Sequence, residues 1–142
     1  ELQRETGGFT EFVGLPFVHM ASPIYLRKGA RRGPTFRENL LVHAIARIVY
    51  HGYIDNIQAS WVKIGLDGMK QMLQAGVNDV GGTLNGENIS RAAGAKHGQM
   101  LGKSQFEELC QPLGRELIQR TTLYQTHRGP EGQRKHIPVA AE

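Results

Sequence analysis

Apolar residues along this chain alternate between short dense runs and longer segments where they recur every three or four positions. Phe9 to His19 is a dense run, with Phe9, Phe12, Val13, Leu15, Phe17 and Val18. It is too short, and too rich in β-branched and aromatic residues, for a helix, and Gly14 and Pro16 argue further against one. It predicts a strand, with pairing weakened near Pro16, which has no N–H to donate. Residues 1–8 before it and Met20–Gly33 after it read as loops, punctuated by Gly7, Gly8, Pro23, Gly29 and Gly33.

Thr35 opens the clearest helix. Thr35 and Glu38 have the spacing of a capping box, and Pro34 suits a helix entry. Phe36, Leu40, Ala44 and Ile48, flanked by Leu41, Ile45 and Val49, make a broad apolar stripe suited to a large surface such as a sheet. Gly52 ends it. Asn56–Trp61 predicts a second strand, and Leu66–Gln74 a second helix stopped at Gly76. Asp79 to Thr83 predicts a third short strand running into the Gly81-Gly82 turn, followed by an Ala-rich helical start. Ser104 and Glu107 have the spacing of another capping box. Phe106, Leu109, Cys110 and Leu113 share one face of the helix that follows, which Gly114 ends. Residues 115–126 read as extended, and the polar tail, 127–142, as mobile.

The order is strand, helix, strand, helix, strand, helix. Strands separated by helices imply βαβ crossovers and a parallel sheet. No GxGxxG or Walker pattern supports a nucleotide-binding doubly wound domain. Three βα units also fit the closing part of a larger barrel. Standing alone, such a piece carries unpaired backbone groups on its outer strands. Each buried orphan costs about 1–3 kcal/mol, and a handful rival the roughly 5–15 kcal/mol that keeps a domain folded. The piece is expected to need further chain. Position 1 is Glu rather than Met, which also reads as a fragment or processed product.

Composition adds limits. The chain has 142 residues, room for one domain with a real core. No apolar run approaches a transmembrane span or a secretory signal. Its one cysteine excludes an internal disulfide and makes a reduced, cytoplasmic setting the expectation. The formal charge of +4 gathers at 27–37 and 115–135. Without aromatic interleaving or a known binding module, it reads as solvated loop charge, not as a nucleic-acid surface.

Several residues are candidates for chemistry. In Asn56–Trp61 side chains alternate, so Asn56, Gln58 and Ser60 share one face and Ile57, Ala59 and Trp61 the other. The polar face fits either a wet lumen holding a polar substrate or the exposed side of an edge strand. His19, at the end of the first strand, is either a substrate contact or proton donor, or a loop residue satisfied by its neighbours. Two adjacent glycines at a strand end permit positive φ or a ligand's close approach. Glu87, just beyond, is the best acidic candidate of that stretch, or else a carboxylate capping the next helix. The histidines lack the HExxH spacing of a zinc site. Cys110 falls on an apolar stripe and reads as core packing.

Taken together, Gly8-Phe-Thr-Glu-Phe-Val13, Leu15-Pro-Phe-Val-His-Met20, Asn56-Ile-Gln-Ala-Ser-Trp-Val-Lys63, Asn78-Asp-Val-Gly-Gly-Thr83, Ile89-Ser-Arg-Ala-Ala-Gly-Ala95 and Gln119-Arg-Thr-Thr-Leu-Tyr124 resemble the carboxyl-terminal part of the FO synthase family. Within it, the chain is similar to the half or subunit that joins L-tyrosine to 5-amino-6-(D-ribitylamino)uracil in deazaflavin biosynthesis. The resemblance runs to about Tyr124 and extends more loosely to the menaquinone-pathway radical enzymes and biotin synthase. It implies a radical S-adenosylmethionine (SAM) transferase on a TIM-like (β/α) barrel, with residues 1–126 the closing part of the barrel domain. A 4Fe–4S cluster would cleave SAM, and the adenosyl radical would attack tyrosine. The family's CxxxCxxC would lie upstream of residue 1, since a cluster needs several thiolates.

The resemblance places His19, Gln58, Ser60, Thr83 and Glu87 on the substrate side of the lumen, and Val13 and Leu15 beside the adenosyl group. Small-molecule substrates and the other FO synthase half are the partners it implies, with no nucleic acid and no membrane. Two positions depart from the family pattern: Gly14, where proline is expected, and Asn85-Gly86, where a more apolar pair is. The contrasting expectation is a self-contained small α/β domain holding an anion at Gly81-Gly82 and the helix start beyond.

Overall fold

The computed structural model describes residues 1–82, 88–97 and 101–126. In chain order these form α1 (Leu2–Thr6), β1 (Glu11–Gly14), α2 (Pro23–Leu26), α3 (Phe36–Val49), β2 (Asn56–Ala59), α4 (Trp61–Gln74), α5 (Ile89–Ala92) and α6 (Lys103–Cys110), with a 3-10 turn at Gln111–Leu113. β1 and β2 pair in parallel, with Glu11 opposite Asn56, Phe12 opposite Ile57, Val13 opposite Gln58 and Gly14 opposite Ala59. The fold is therefore mixed α/β with parallel strands joined by a helix, as the alternation predicts.

The third expected strand is reduced to one parallel bridge, Gln58 with Asp79. At that bridge Asp79 O accepts the Ala59 N–H at 3.1 Å. Past it the Gly81 N–H turns back to Asp79 Oδ1 at 2.8 Å, with Gly81 at φ 75°, so the backbone leaves the ladder. Before it Asn78 Oδ1 takes the Ile57 N–H at 2.8 Å in place of a backbone carbonyl. Arg47 braces this junction, donating to Gly76 O at 2.7 Å, Asp55 O at 2.8 Å and Asn78 Oδ1 at 2.7 Å.

α3 begins as its sequence requires. Glu38 N–H donates to Thr35 Oγ1 at 3.2 Å and Thr35 N–H donates to Glu38 Oε2 at 2.7 Å, closing the capping box. Asn39, His43 and Ala46 are its buried face. The apolar stripe is broader than the sheet covers: Leu41, Val42, Ile45, Ile48 and Val49 are exposed.

Other boundaries move. The first strand is only Glu11–Gly14, stopping before Leu15-Pro16. Residues 1–8 hold the short α1, tied down by Gln3, which donates to Phe9 O and Tyr53 O and accepts the Phe9 N–H. The Met20–Gly33 loop contains α2, with Pro23 in its first turn. Trp61 belongs to the turn that opens α4 rather than to β2. Gly65 (φ 74°, ψ 172°) then breaks that turn from the helix proper, which starts at Leu66 as expected. α6 starts before Ser104: Gly102 N–H donates to Gln105 Oε1 at 3.0 Å, so the Ser104–Glu107 spacing does not cap it. Within 115–126 the chain doubles back, with an antiparallel bridge between Arg120 and Thr126. The tail expected to be mobile lies outside the described residues.

The core lies on the helix side of the sheet. Ile57 and Ala59 point into it with Ala46, Trp61, Val62, Met69, Met72, Leu73, Val77, Leu101, Phe106 and Leu109. Phe12, on the same face of β1, packs its ring edge-on against His43, centroids 5.9 Å apart. Burial of these side chains is the main stabilising term. The opposite sheet face is left to Glu11, Val13, Asn56, Gln58 and Asp79, which the register and the period of two bring to one side.

Candidate functional site

The polar sheet face is the natural place to build from. Val13 lies directly opposite Gln58, and Gln58 bridges to Asp79. Three of the face's residues are thus neighbours by backbone pairing alone. Gln58 is half-buried, and its amide lies beside Gly81, where an added Cβ would stand 3.7 Å from Nε2. Gly81 has φ 75°, the left-handed region that favours glycine. Ser60 follows the strand at the head of α4. Its carbonyl accepts the Lys63 N–H at 3.1 Å, while its hydroxyl makes no capping bond. One turn on, Lys63 Nζ donates to the buried Ser90 Oγ at 3.1 Å.

The loop after β1 closes over from the other side. Ala21 N–H donates to Ala93 O at 2.9 Å, joining this loop to the end of α5. His19 sits in that loop. Its Nδ1 accepts the Gly33 N–H at 3.1 Å, which leaves the proton of the neutral ring on Nε2. The ring stands edge-on to Tyr25 at 4.7 Å. These bonds hold the ring in place and leave Nε2 as its available nitrogen. Leu15 is 66% exposed just beyond β1. Thr83 and Glu87 lie outside the described residues.

A second group closes the same face from the chain's far end. Asp79 Oδ1 accepts the Gly81 N–H at 2.8 Å. Its Oδ2 accepts from Arg120 Nε at 2.6 Å and from the Tyr124 hydroxyl at 2.8 Å. Tyr124 also hydrogen-bonds Glu11 Oε2, and Arg120 lies 4.0 Å over the Tyr124 ring. Burial first, then these carboxylate bonds, hold the Tyr124 phenol well above the usual tyrosine range. Its proton therefore stays on at neutral pH, and the group acts as a donor. Sequence reasoning missed Glu11, Asp79, Arg120 and Tyr124 as a set. The available signal was Asp79-Val80-Gly81, the spacing of a side chain that bonds its own backbone two residues on.

A cleft of about 320 Å³ lies on the other side, lined by Trp61, Ile64, Gly65, Lys96, His97 and others. None of Val13, Leu15, His19, Gln58 and Ser60 lines it. Among the described residues no group of three or more His, Cys, Asp or Glu could hold a metal. Cys110 is buried against the core, and burial raises its thiol pKa, which disfavours the thiolate an iron centre needs. A 4Fe–4S cluster does not fit the residues of this chain, which has one cysteine in all. No described helix is long and apolar enough to cross a membrane.

Parallel strands joined by a helical crossover define a mixed α/β protein. Its sequence places it further. Residues 6–131 match the family described as the CofH/MqnC C-terminal region, and the chain belongs to that family. It is 55% identical over 123 residues to an FO synthase of Nocardia farcinica, covering 87% of this chain and 14% of that protein. It is 52% identical over 124 residues to an FO synthase of Mycobacterium tuberculosis, with the same shares of 87% and 14%. A Methanopyrus kandleri protein named 5-amino-6-(D-ribitylamino)uracil--L-tyrosine 4-hydroxyphenyl transferase is 52% identical over 124 residues, 87% of this chain and 34% of its own length. The chain thus spans about a third or less of these relatives.

Proposed function

We propose that this chain is the closing part of a TIM-like (β/α) barrel in a cytoplasmic radical SAM transferase. The enzyme would couple the 4-hydroxybenzyl group of L-tyrosine to 5-amino-6-(D-ribitylamino)uracil, in the synthesis of the deazaflavin FO. The observation that carries this is the 52% identity, over 87% of the chain, to the Methanopyrus kandleri transferase. The FO synthase names of the other relatives favour it over the menaquinone-pathway alternative. A self-contained anion-binding domain is disfavoured by the much greater length of those relatives and by an α5 of one turn.

On this reading residues 1–126 belong to the barrel domain, and the polar sheet face is part of its lumen. Gln58 and Ser60 stand at the end of β2, where an amide and a hydroxyl suit the ribityl and uracil groups of one substrate. His19 offers Nε2 from the loop above. Thr83 and Glu87, beyond Gly81-Gly82, complete the substrate side by family position. Val13, on the same face, and Leu15, just past it, would border the adenosyl group of SAM. The cluster's cysteines come from elsewhere in the longer polypeptide, and the other FO synthase half is a partner or a fused domain.

The test is the full-length polypeptide, reconstituted without oxygen and given SAM, L-tyrosine and 5-amino-6-(D-ribitylamino)uracil. A coupled product of the expected mass, dependent on all three, supports the reading. SAM consumption without any tyrosine-dependent product overturns it.

A further inference from the structure

We infer that Arg120 and Tyr124 are positioning residues, which act through Asp79 to fix the Gly81-Gly82 turn beside Gln58. The inference rests on the lumen reading of the polar sheet face. Asp79 is the hinge of the argument. Its side chain is 8% exposed, and both oxygens are engaged. One oxygen takes the Gly81 N–H, which sets the φ of 75° at that residue and so the direction in which the chain leaves the sheet. The other takes Arg120 and Tyr124. Without those two donors the carboxylate would be free to rotate, and the Gly81 bond would lose its anchor.

The turn that brings the donors is itself braced. Thr121 N–H donates to Gln125 O at 2.8 Å, Tyr124 N–H donates to Thr121 O at 3.1 Å, and Arg120 Nη1 donates to Thr121 O at 3.1 Å. Tyr124 is held at φ 58°, a conformation that non-glycine residues seldom adopt. That backbone directs its hydroxyl between Glu11 and Asp79, at the entry of β1 and the Gln58 bridge. Beyond Gly81 the chain is caught again, where Trp61 Nε1 donates to Gly82 O at 3.1 Å. A segment some forty residues later in sequence thus helps to place the glycine turn that adjoins the proposed substrate amide. Rigid support of this kind is what holds binding groups in productive geometry.

Two measurements on the full-length polypeptide test it. The first is amide hydrogen exchange, which needs no substrate. In Tyr124→Phe the ring stays over Arg120 but the hydroxyl is lost. We expect exchange at Gly81 to rise about tenfold, with the buried Met69 and Met72 of α4 unchanged. Equal acceleration at all three, or none at Gly81, overturns the inference. The second is steady-state kinetics of Tyr124→Phe, Gln58→Ala and the double variant. A raised KM for the uracil substrate, with less than additive effects in the double variant, is expected. A fall in kcat alone, or strict additivity, overturns it. Should the wild-type protein not couple tyrosine to the uracil, the proposed function fails, and the exchange result still decides whether Tyr124 places Gly81. Arg120→Lys provides a second exchange variant if Tyr124→Phe does not fold, with the same expected and overturning patterns.

Discussion

The His43 imidazole lies against the α-carbon of Gly14, so closely that a Cβ added there would stand 2.6 Å from Cε1. The ring cannot easily yield. It is fully buried, with Nδ1 2.8 Å from Asn39 O and Nε2 3.2 Å from Gln58 O. This leaves room for a residue without a side chain at position 14. Gly14→Ala should destabilise by about 1–3 kcal/mol, the usual range for overfilling a packed site. Urea unfolding of Gly14→Ala, His43→Ala and the double variant checks it. The double variant should lose less than the sum of the singles, because removing the ring removes the clash.

Ile45 and Ile48 carry a second expectation. With Leu41, Val42 and Val49 they leave an apolar face on α3 uncovered, Ile48 being 76% exposed. Contiguous apolar surface of this kind marks an interface. On the barrel reading, neighbouring chain of the longer polypeptide covers part of it. The 142-residue chain alone should therefore self-associate and bind a hydrophobic dye. Replacing Leu41, Ile45 and Ile48 by Ser should reduce both several-fold. Light scattering and dye fluorescence of the two forms decide it: a monodisperse, dye-silent wild-type chain would count against an uncovered face.

How much of this was legible depends on the range of the contacts involved. Thr35 and Glu38 announce α3 because both halves of the capping box lie in one local turn. The alternation of Ile57 and Ala59 with Asn56 and Gln58 gave the two faces of β2, because the strand period is local too. The third strand stops at its first bridge because the Gly81 N–H turns back to the Asp79 side chain, which Arg120 holds from 41 residues away. α1 does not show in the local pattern because Gln3 anchors it to Tyr53 O, 50 residues on. The candidate site divides the same way. Gln58 and Ser60 follow from a strand end, whereas Arg120 meets Asp79 across 41 residues, a pairing that no spacing rule encodes.

Tyr124 predicts an alkaline limit. Burial and the bonds to Glu11 and Asp79 raise its folded-state pKa above the ordinary 10.0. A raised pKa means that the folded protein holds the proton more tightly than the unfolded chain does. The stabilisation is complete below about pH 10 and is lost as pH climbs from there toward the folded value. Unfolding free energy measured from pH 8 to pH 11 (an approximate range that brackets the free phenol) should fall more steeply for wild type than for Tyr124→Phe. Parallel curves would show that the phenol keeps no special proton.

Gln58 and Ser60 make the most direct claim about binding. A neutral hydrogen bond contributes about 0.5–1.5 kcal/mol net. On the proposed function, Gln58→Ala or Ser60→Ala in the full-length polypeptide should thus raise KM for the uracil substrate roughly three- to tenfold. Initial rates at varied substrate test each variant. Unchanged KM in both would remove this strand end from the substrate side.

Cys110 sets the last expectation. A 4Fe–4S cluster takes several thiolates, and this chain offers one, buried in α6 among core residues with its thiol pKa raised. Reconstitution of the 142-residue chain with iron and sulfide should leave no stoichiometric iron after desalting. In the full-length polypeptide, Cys110→Ser should keep the iron content of wild type, at a modest loss of stability for putting a hydroxyl in an apolar site. Iron and sulfide assays with the visible absorption spectrum measure both. Loss of the cluster in Cys110→Ser, with the protein still folded, would make this thiolate a ligand and would require α6 to open from the core.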